Sequence, residues 1–282
     1  MVNNSIMVFS PARSGSTVLS LILGAHSKIT NFGESHWLAK DTVSRQKSDP
    51  TIVCRAHGED CEVLRKIPLH ESEYSNHFSV LSGICETEYL LTTNKTMGHY
   101  SYMDTGLLNN FTILLYKPFE VWAGSYLSGN RKRLPGNKKE AINVLANRYF
   151  KYFRMHEEFL KGQDFTKLLV VEYLRLVTEK SEYVRHICDF LEIEFEEGMM
   201  EFNTYLESGQ KDNHPIGGNV RTYGNLNKGK DGRYDQDENN IYLEKKYLDY
   251  LNEEELAGIR LWDRNRSLQE SLEIKLCAKD FE

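Results

Sequence analysis

Short apolar runs alternate with stretches of helical period along most of the chain. Ile6-Met7-Val8-Phe9 is too short for a helix; it meets Ser10-Pro11, a small hydroxylated loop, and then Val18, Leu19, Leu21, Ile22 and Leu23 at helical spacing. The pattern predicts strand, loop and helix, with the helix ending near residues 24–26. Residues 28–38 read as a short extended piece, a glycine turn and a new helix. Residues 89–95 read as a buried strand with a polar end, and residues 111–116 as an interior strand followed by a helix whose first turn takes Pro118. A long helical pattern covers 137–161, with Ile142, Leu145, Tyr149 and Phe153 on its apolar stripe. Another buried strand covers 168–173, and an amphipathic helix covers 179–191. This alternation predicts an α/β fold with a central, mostly parallel sheet flanked by helices on both faces.

Other stretches are less regular. Residues 51–91 suggest short helices and loops, of the kind that form substrate lids. Residues 208–239 are rich in Gly, Asn, Asp and Lys and read as a long loop, with closing helices at 243–261 and 268–276. There are no internal repeats and no Pro/Ser-rich linker, so residues 1–282 read as one domain. Lid insertions are expected at 40–88 and 128–140, and a loop-rich part at 208–240.

The first strand-loop-helix unit suits phosphate. Such a turn aims backbone N–H groups at one point and adds the positive end of a helix dipole. Laid over the Walker A pattern G-x-x-x-x-G-K-[ST], the loop offers Ser10, Gly15, Ser16 and Thr17, so the lysine is missing. An ordinary nucleoside triphosphate site needs that lysine. Arg13 stands inside the loop instead, where a guanidinium can meet a phosphate oxygen bidentately. Glu34 and His36 follow soon after the loop and are candidate general bases. The alternative reading makes Glu34 a helix cap and His36 a surface residue. Lys95 and Lys117 lie at the carboxyl ends of strands, where open α/β sheets bind ligands. Ser125 lies two turns into the helix after Lys117. The basic run Arg131, Lys132, Arg133, Lys138, Lys139 is a solvated loop or an aid to an anion.

Composition narrows the classes. The chain has 282 residues, 40% of them hydrophobic, and a net charge of −6. That size and composition suit a packed core, and the charge argues against a broad nucleic-acid surface. Five cysteines do not suggest a disulfide framework. With no signal sequence and no apolar run of about 20 residues, a cytoplasmic protein without membrane association is expected. Cys54, His57, Cys61 and His70 match no standard zinc spacing, so no metal site is assigned.

With these pieces together, the chain resembles the PAPS-dependent sulfotransferases, in particular the bacterial and tyrosylprotein-type branch whose first loop reads P-R-S-G-[ST]-T. Here the loop is Pro11-Ala12-Arg13-Ser14-Gly15-Ser16-Thr17, longer by one residue. The resemblance implies that Arg13 and the amides of Ser14, Gly15, Ser16 and Thr17 hold the 5'-phosphosulfate end of the donor. It implies that Glu34, in Phe32-Gly33-Glu34, is the catalytic base and that Lys95, in Asn94-Lys95, serves the leaving phosphate; His36 is the rival base on chemical grounds, its ordinary pKa being nearer neutrality. Lys117 stands where the family has an arginine, and with Ser125 it is implied in 3'-phosphate binding. Lysine keeps that charge and loses the fork. The segment 171–176 is similar to the family's V-x-Y-E-D-L, which brings in Tyr173, with Leu174-Arg175 in place of the acidic pair. His214-Pro215-Ile216-Gly217-Gly218-Asn219-Val220-Arg221 is similar to H-x-I-G-G-N-x-x-R, shortened by one, which brings in Gly218, Asn219 and Arg221.

The expectation is a P-loop-like three-layer fold that moves a sulfuryl group from PAPS to a hydroxyl or amine of a small-molecule acceptor, a natural product or carbohydrate, leaving PAP and needing no metal. The rivals are a small-molecule kinase with a degenerate P-loop and a non-catalytic nucleotide-binding protein. Oligomeric state is left unassigned.

Overall fold

A computed structural model describes residues 2–37, 54–58, 60–66, 77–95, 109–130, 134–136, 138–161, 167–201 and 213–218, with residues 253 and 257. Its centre is a sheet of six strands, β1 (Asn4–Phe9), β2 (Ile29–Gly33), β3 (Tyr89–Asn94), β4 (Asn109–Tyr116), β5 (Leu168–Glu172) and β6 (Asn213–Ile216). The strand order is β5-β4-β1-β3-β2-β6, and every pair is parallel. The described helices are α1 (Ser16–Gly24), α2 (Glu62–Lys66), α3 (His77–Ile84), α4 (Phe119–Asn130), α5 (Lys138–Lys161), α6 (Tyr173–Thr178) and α7 (Lys180–Leu191).

Alternation along the strands divides the interior. On β1, Ile6 and Val8 join Leu19, Ile22, Leu176 and Ile187 on the face covered by α1, α6 and α7. Met7 and Phe9 point the other way, into a cluster with Phe32, Leu81, Leu90 and Leu114. A third, aromatic cluster joins β4 to α4 and α5 through Tyr116, Phe119, Trp122, Tyr149 and Phe150. The middle strands β1 and β4 are buried on both sides, which is why Ile6–Phe9 and Ile113–Tyr116 read as continuous apolar runs.

Two expectations change. Residues 213–216 were expected within a loop but form β6, the edge strand beside β2. Asn-His-Pro-Ile offers no apolar run. It becomes a strand because it completes the open edge of β2, and Pro215 is tolerated there because an edge strand leaves one side unpaired. Asn213 also donates from Nδ2 to the Gly24 carbonyl at 2.7 Å, closing the end of α1. The strand predicted over 168–173 stops at Glu172, and Tyr173 opens α6 directly. The proposed closing helices apart from residues 253 and 257, together with Asn219, Arg221, the run 131–133 and most of 208–240, lie outside the described residues.

Candidate active site

Strand register decides which side chains meet. Phe9 of β1 is level with Asn94 of β3 and Leu114 of β4, and Tyr116 of β4 is level with Glu172 of β5. Asn31 of β2 is level with Leu91 of β3, and Glu34 follows β2 after the turn at Gly33. The next residues along the chain, Ser10, Lys95, Lys117 and Tyr173, therefore emerge on one carboxyl edge. The chain reverses its direction across the sheet at β1, between β3 and β4, and that is where open α/β sheets leave a crevice.

The loop after β1 is held in an uncommon shape. Arg13 has φ 74° and Gly15 φ 97°, both left-handed. A Cβ on Gly15 would lie 2.1 Å from Cδ2 of Tyr173, so the glycine lets that ring settle on the loop. Trp122 of α4 donates from Nε1 to the carbonyl of Ala12 at 2.7 Å. Ala12, the residue added relative to the resembled pattern, is thus the one fastened to α4. Ser14 and Ser16 are buried, Thr17 is half-buried and Arg13 is exposed. The hydroxyls of Ser10 and Ser14 are buried with no hydrogen-bond partner among the described residues. Two orphaned donors beside a helix N-terminus fit an anion.

Next to this loop, Glu34, Lys95 and Ser16 converge. The Lys95 ammonium is 3.1 Å from Glu34 Oε1 and donates to Ser16 Oγ at 2.5 Å. The two charged side chains are only 20% and 12% exposed, so the pair is shielded from bulk water. Gly33, with φ 57°, turns the chain between β2 and Glu34, and the Glu34 amide donates to the Ile216 carbonyl at 2.7 Å. His36 is buried in the short 3-10 turn Ser35–Trp37, which removes the reading of it as a surface residue.

The second junction is built around Lys117. Its ammonium stands 3.9 Å from the centre of the Tyr173 ring, and Tyr149 donates its hydroxyl to the Lys117 carbonyl at 2.6 Å. Burial, and then the charge of Arg13, push the Lys117 ammonium down to about 7. The ring face favours the charged form and offsets part of that cost, but burial prevails. Ser125 is buried two turns along α4, the helix that follows Lys117 and also carries Trp122. Gly218, half-buried with φ 77°, is the second residue after β6. Trp122 and Tyr149 are the positioning residues that sequence reading missed; only their place in aromatic helix stripes hinted at them. The grouping of Cys54, His57 and Cys61 with His70 is also revised. The first three stand with His214 of β6 instead, and His70 lies outside the described residues.

No protein-family model matches the sequence, and no curated protein matches it. Solved structures do match. The sulfotransferase domain of the Synechococcus PCC 7002 olefin synthase matches with a TM-score of 0.58 at 17% identity, covering 93% of this chain and 95% of that domain. The sulfotransferase domain from the curacin biosynthetic pathway matches with a TM-score of 0.53 at 16% identity, covering 89% and 99%. Mouse sulfotransferase SULT7A1 complexed with PAP matches with a TM-score of 0.50 at 12% identity, covering 99% and 89%. The chain has the sulfotransferase fold, an α/β architecture around a parallel sheet.

Proposed function

We propose that this protein is a PAPS-dependent sulfotransferase acting on a hydroxyl or amine of a small molecule, a natural product or carbohydrate. The observation that carries the reading is the meeting of Glu34, Lys95 and Ser16 beside the loop after β1. A proton acceptor, a cation and a helix N-terminus at one point are what sulfuryl transfer requires. PAPS supplies an activated sulfuryl group on its 5'-phosphate. As the acceptor's O–S or N–S bond forms and the S–O bond to that phosphate breaks, Glu34 takes the acceptor proton. Arg13, Lys95 and the amides of Ser14, Gly15, Ser16 and Thr17 hold the negative charge left on the phosphate oxygen.

Lys117 and Ser125 are assigned to the 3'-phosphate, with Tyr173, Gly218, Asn219 and Arg221 completing the donor site. Charge neutralisation falls to Arg13, Lys95 and Lys117 rather than to a metal. The small-molecule acceptor is supported by the two bacterial neighbours, whose domains belong to an olefin synthase and to the curacin pathway. A cytoplasmic setting is supported by the free state of Cys54, Cys61, Cys85 and Cys188. No helix among the described residues is long and apolar enough to cross a membrane.

Calorimetry with adenosine 3',5'-bisphosphate, set against ATP plus magnesium, tests the donor assignment. Binding of the bisphosphate without magnesium supports it. Binding of ATP plus magnesium alone points to a kinase and refutes it, and bisphosphate binding without transfer to any acceptor points to a non-catalytic protein.

A further inference from the structure

Four side chains that the proposed chemistry does not use meet beside β6. Cys54, His57 and Cys61 come from a segment that lies along this strand, and His214 comes from the strand itself. One ligand atom from each lies within 4.8 Å of every other. Cys54 Sγ is 3.4 Å from His57 Nδ1, and Cys61 Sγ is 3.2 Å from His214 Nδ1. The two imidazoles lie with centres 5.0 Å apart, their planes tilted by 38°. Cys54, Cys61 and His214 are all 5% exposed or less.

These distances suit one tetrahedral ion. With Zn–S near 2.3 Å and Zn–N near 2.0–2.1 Å, the edges of a Cys2His2 tetrahedron are about 3.8 Å for S···S and about 3.6 Å for S···N. Both measured S···N contacts are within a few tenths of an ångström of that edge. The turn also orients the sulfur. The His57 amide donates to Cys54 Sγ at 3.3 Å, and the Gly58 amide closes the turn on the Cys54 carbonyl at 2.8 Å. An amide aimed at sulfur holds its direction, as groups around a metal ligand do.

The segment has few other ties to the core. α2 has five residues, none fully buried, and packs on the cluster of Met7, Phe9 and Phe32 through Val63 and Leu64. Apart from the four side chains, residues 54–58 are joined to the β6 region by the Cys54–Ile216 bridge, by the Arg55 amide on the Pro215 carbonyl at 2.8 Å and by Arg55 Nε on the Gly217 carbonyl. A cavity of about 470 Å³, bordered by His57, Cys61 and His214 together with Thr30, Phe32 and Cys85, gives an ion a way in.

We propose that Cys54, His57, Cys61 and His214 bind one zinc ion that fastens residues 54–61 to β6. Four protein ligands close the coordination shell, so the ion is structural rather than catalytic, and soft sulfur with imidazole selects zinc over magnesium or calcium. The pattern escapes sequence reading because Cys-x2-His-x3-Cys is completed by a histidine 153 residues further on. The site is independent of the proposed transfer reaction. It stands next to that reaction's machinery, because Ile216 of the fastened strand receives the Glu34 amide.

The test uses the untagged 282-residue chain, purified with reductant, incubated with zinc, desalted and assayed for metal by mass spectrometry. About one zinc per chain is expected. The Cys54→Ser/Cys61→Ser variant should fall to background, while Cys85→Ser, which borders the same cavity, should keep its zinc. Replacing zinc by cobalt should give a thiolate charge-transfer band and the intense visible bands of tetrahedral coordination. Wild-type protein without stoichiometric zinc, a double variant that keeps it, or a cobalt spectrum lacking the thiolate band would each overturn the proposal. The first and last of these need no variant to fold.

Discussion

Raising the pH from about 7 to about 9 is expected to weaken binding of adenosine 3',5'-bisphosphate, because the ammonium assigned to its 3'-phosphate loses its proton. Lys117 is 2% exposed, and burial with the charge of Arg13 brings it from 10.5 to about 7. The protonated fraction then falls from about one half at pH 7 to about one hundredth at pH 9, so the bisphosphate affinity drops about fiftyfold, or about 2 kcal/mol. Binding should also take up close to one proton per chain at the upper end of this range. Calorimetry in two buffers of different ionisation enthalpy reads both quantities. Lys117→Arg keeps its charge throughout and should bind with little pH dependence. A flat affinity for the wild-type chain over this range, with no proton uptake, would refute the assignment of Lys117 to the phosphate.

The same burial sets a stability effect of known sign. The folded chain binds fewer protons than the unfolded chain between about pH 7 and 10.5, so Lys117 destabilises most below this window and progressively less as pH rises through it. Lys117→Met should therefore raise the melting temperature at pH 6 more than at pH 10, with a ceiling of about 5 kcal/mol set by the depression. Glu34→Gln should lower turnover by about 10²–10⁴-fold while bisphosphate affinity changes little, and His36→Ala should retain turnover; the reverse pattern in steady-state kinetics makes His36 the base. Gly15→Ala adds a Cβ against Tyr173 at a left-handed φ. It should lose bisphosphate binding and at least about 1–2 kcal/mol of stability in chemical denaturation. Trp122→Phe leaves the Ala12 carbonyl without its indole donor and should cost about 1–3 kcal/mol, with weaker bisphosphate binding as the sign that the loop has moved.

Strands β1, β3, β4 and β5 and the first loop are legible in the residues alone. Ile6 to Phe9, Tyr89 to Leu91 and Ile113 to Tyr116 are apolar without a break because both faces of a parallel sheet are covered, and that is a local signal. Arg13, Gly15, Lys95 and Lys117 were readable as site residues because each follows such a run. Tertiary structure decided the rest. Nothing local shows that Glu34 reaches Lys95, or that Lys117 is buried beneath Tyr173, because strand register sets both. Asn213 to Ile216 carry no strand pattern; they pair because β2 offers an open edge. That pairing brings His214 to Cys54, His57 and Cys61. Ligands separated this far along a chain are joined only by the fold.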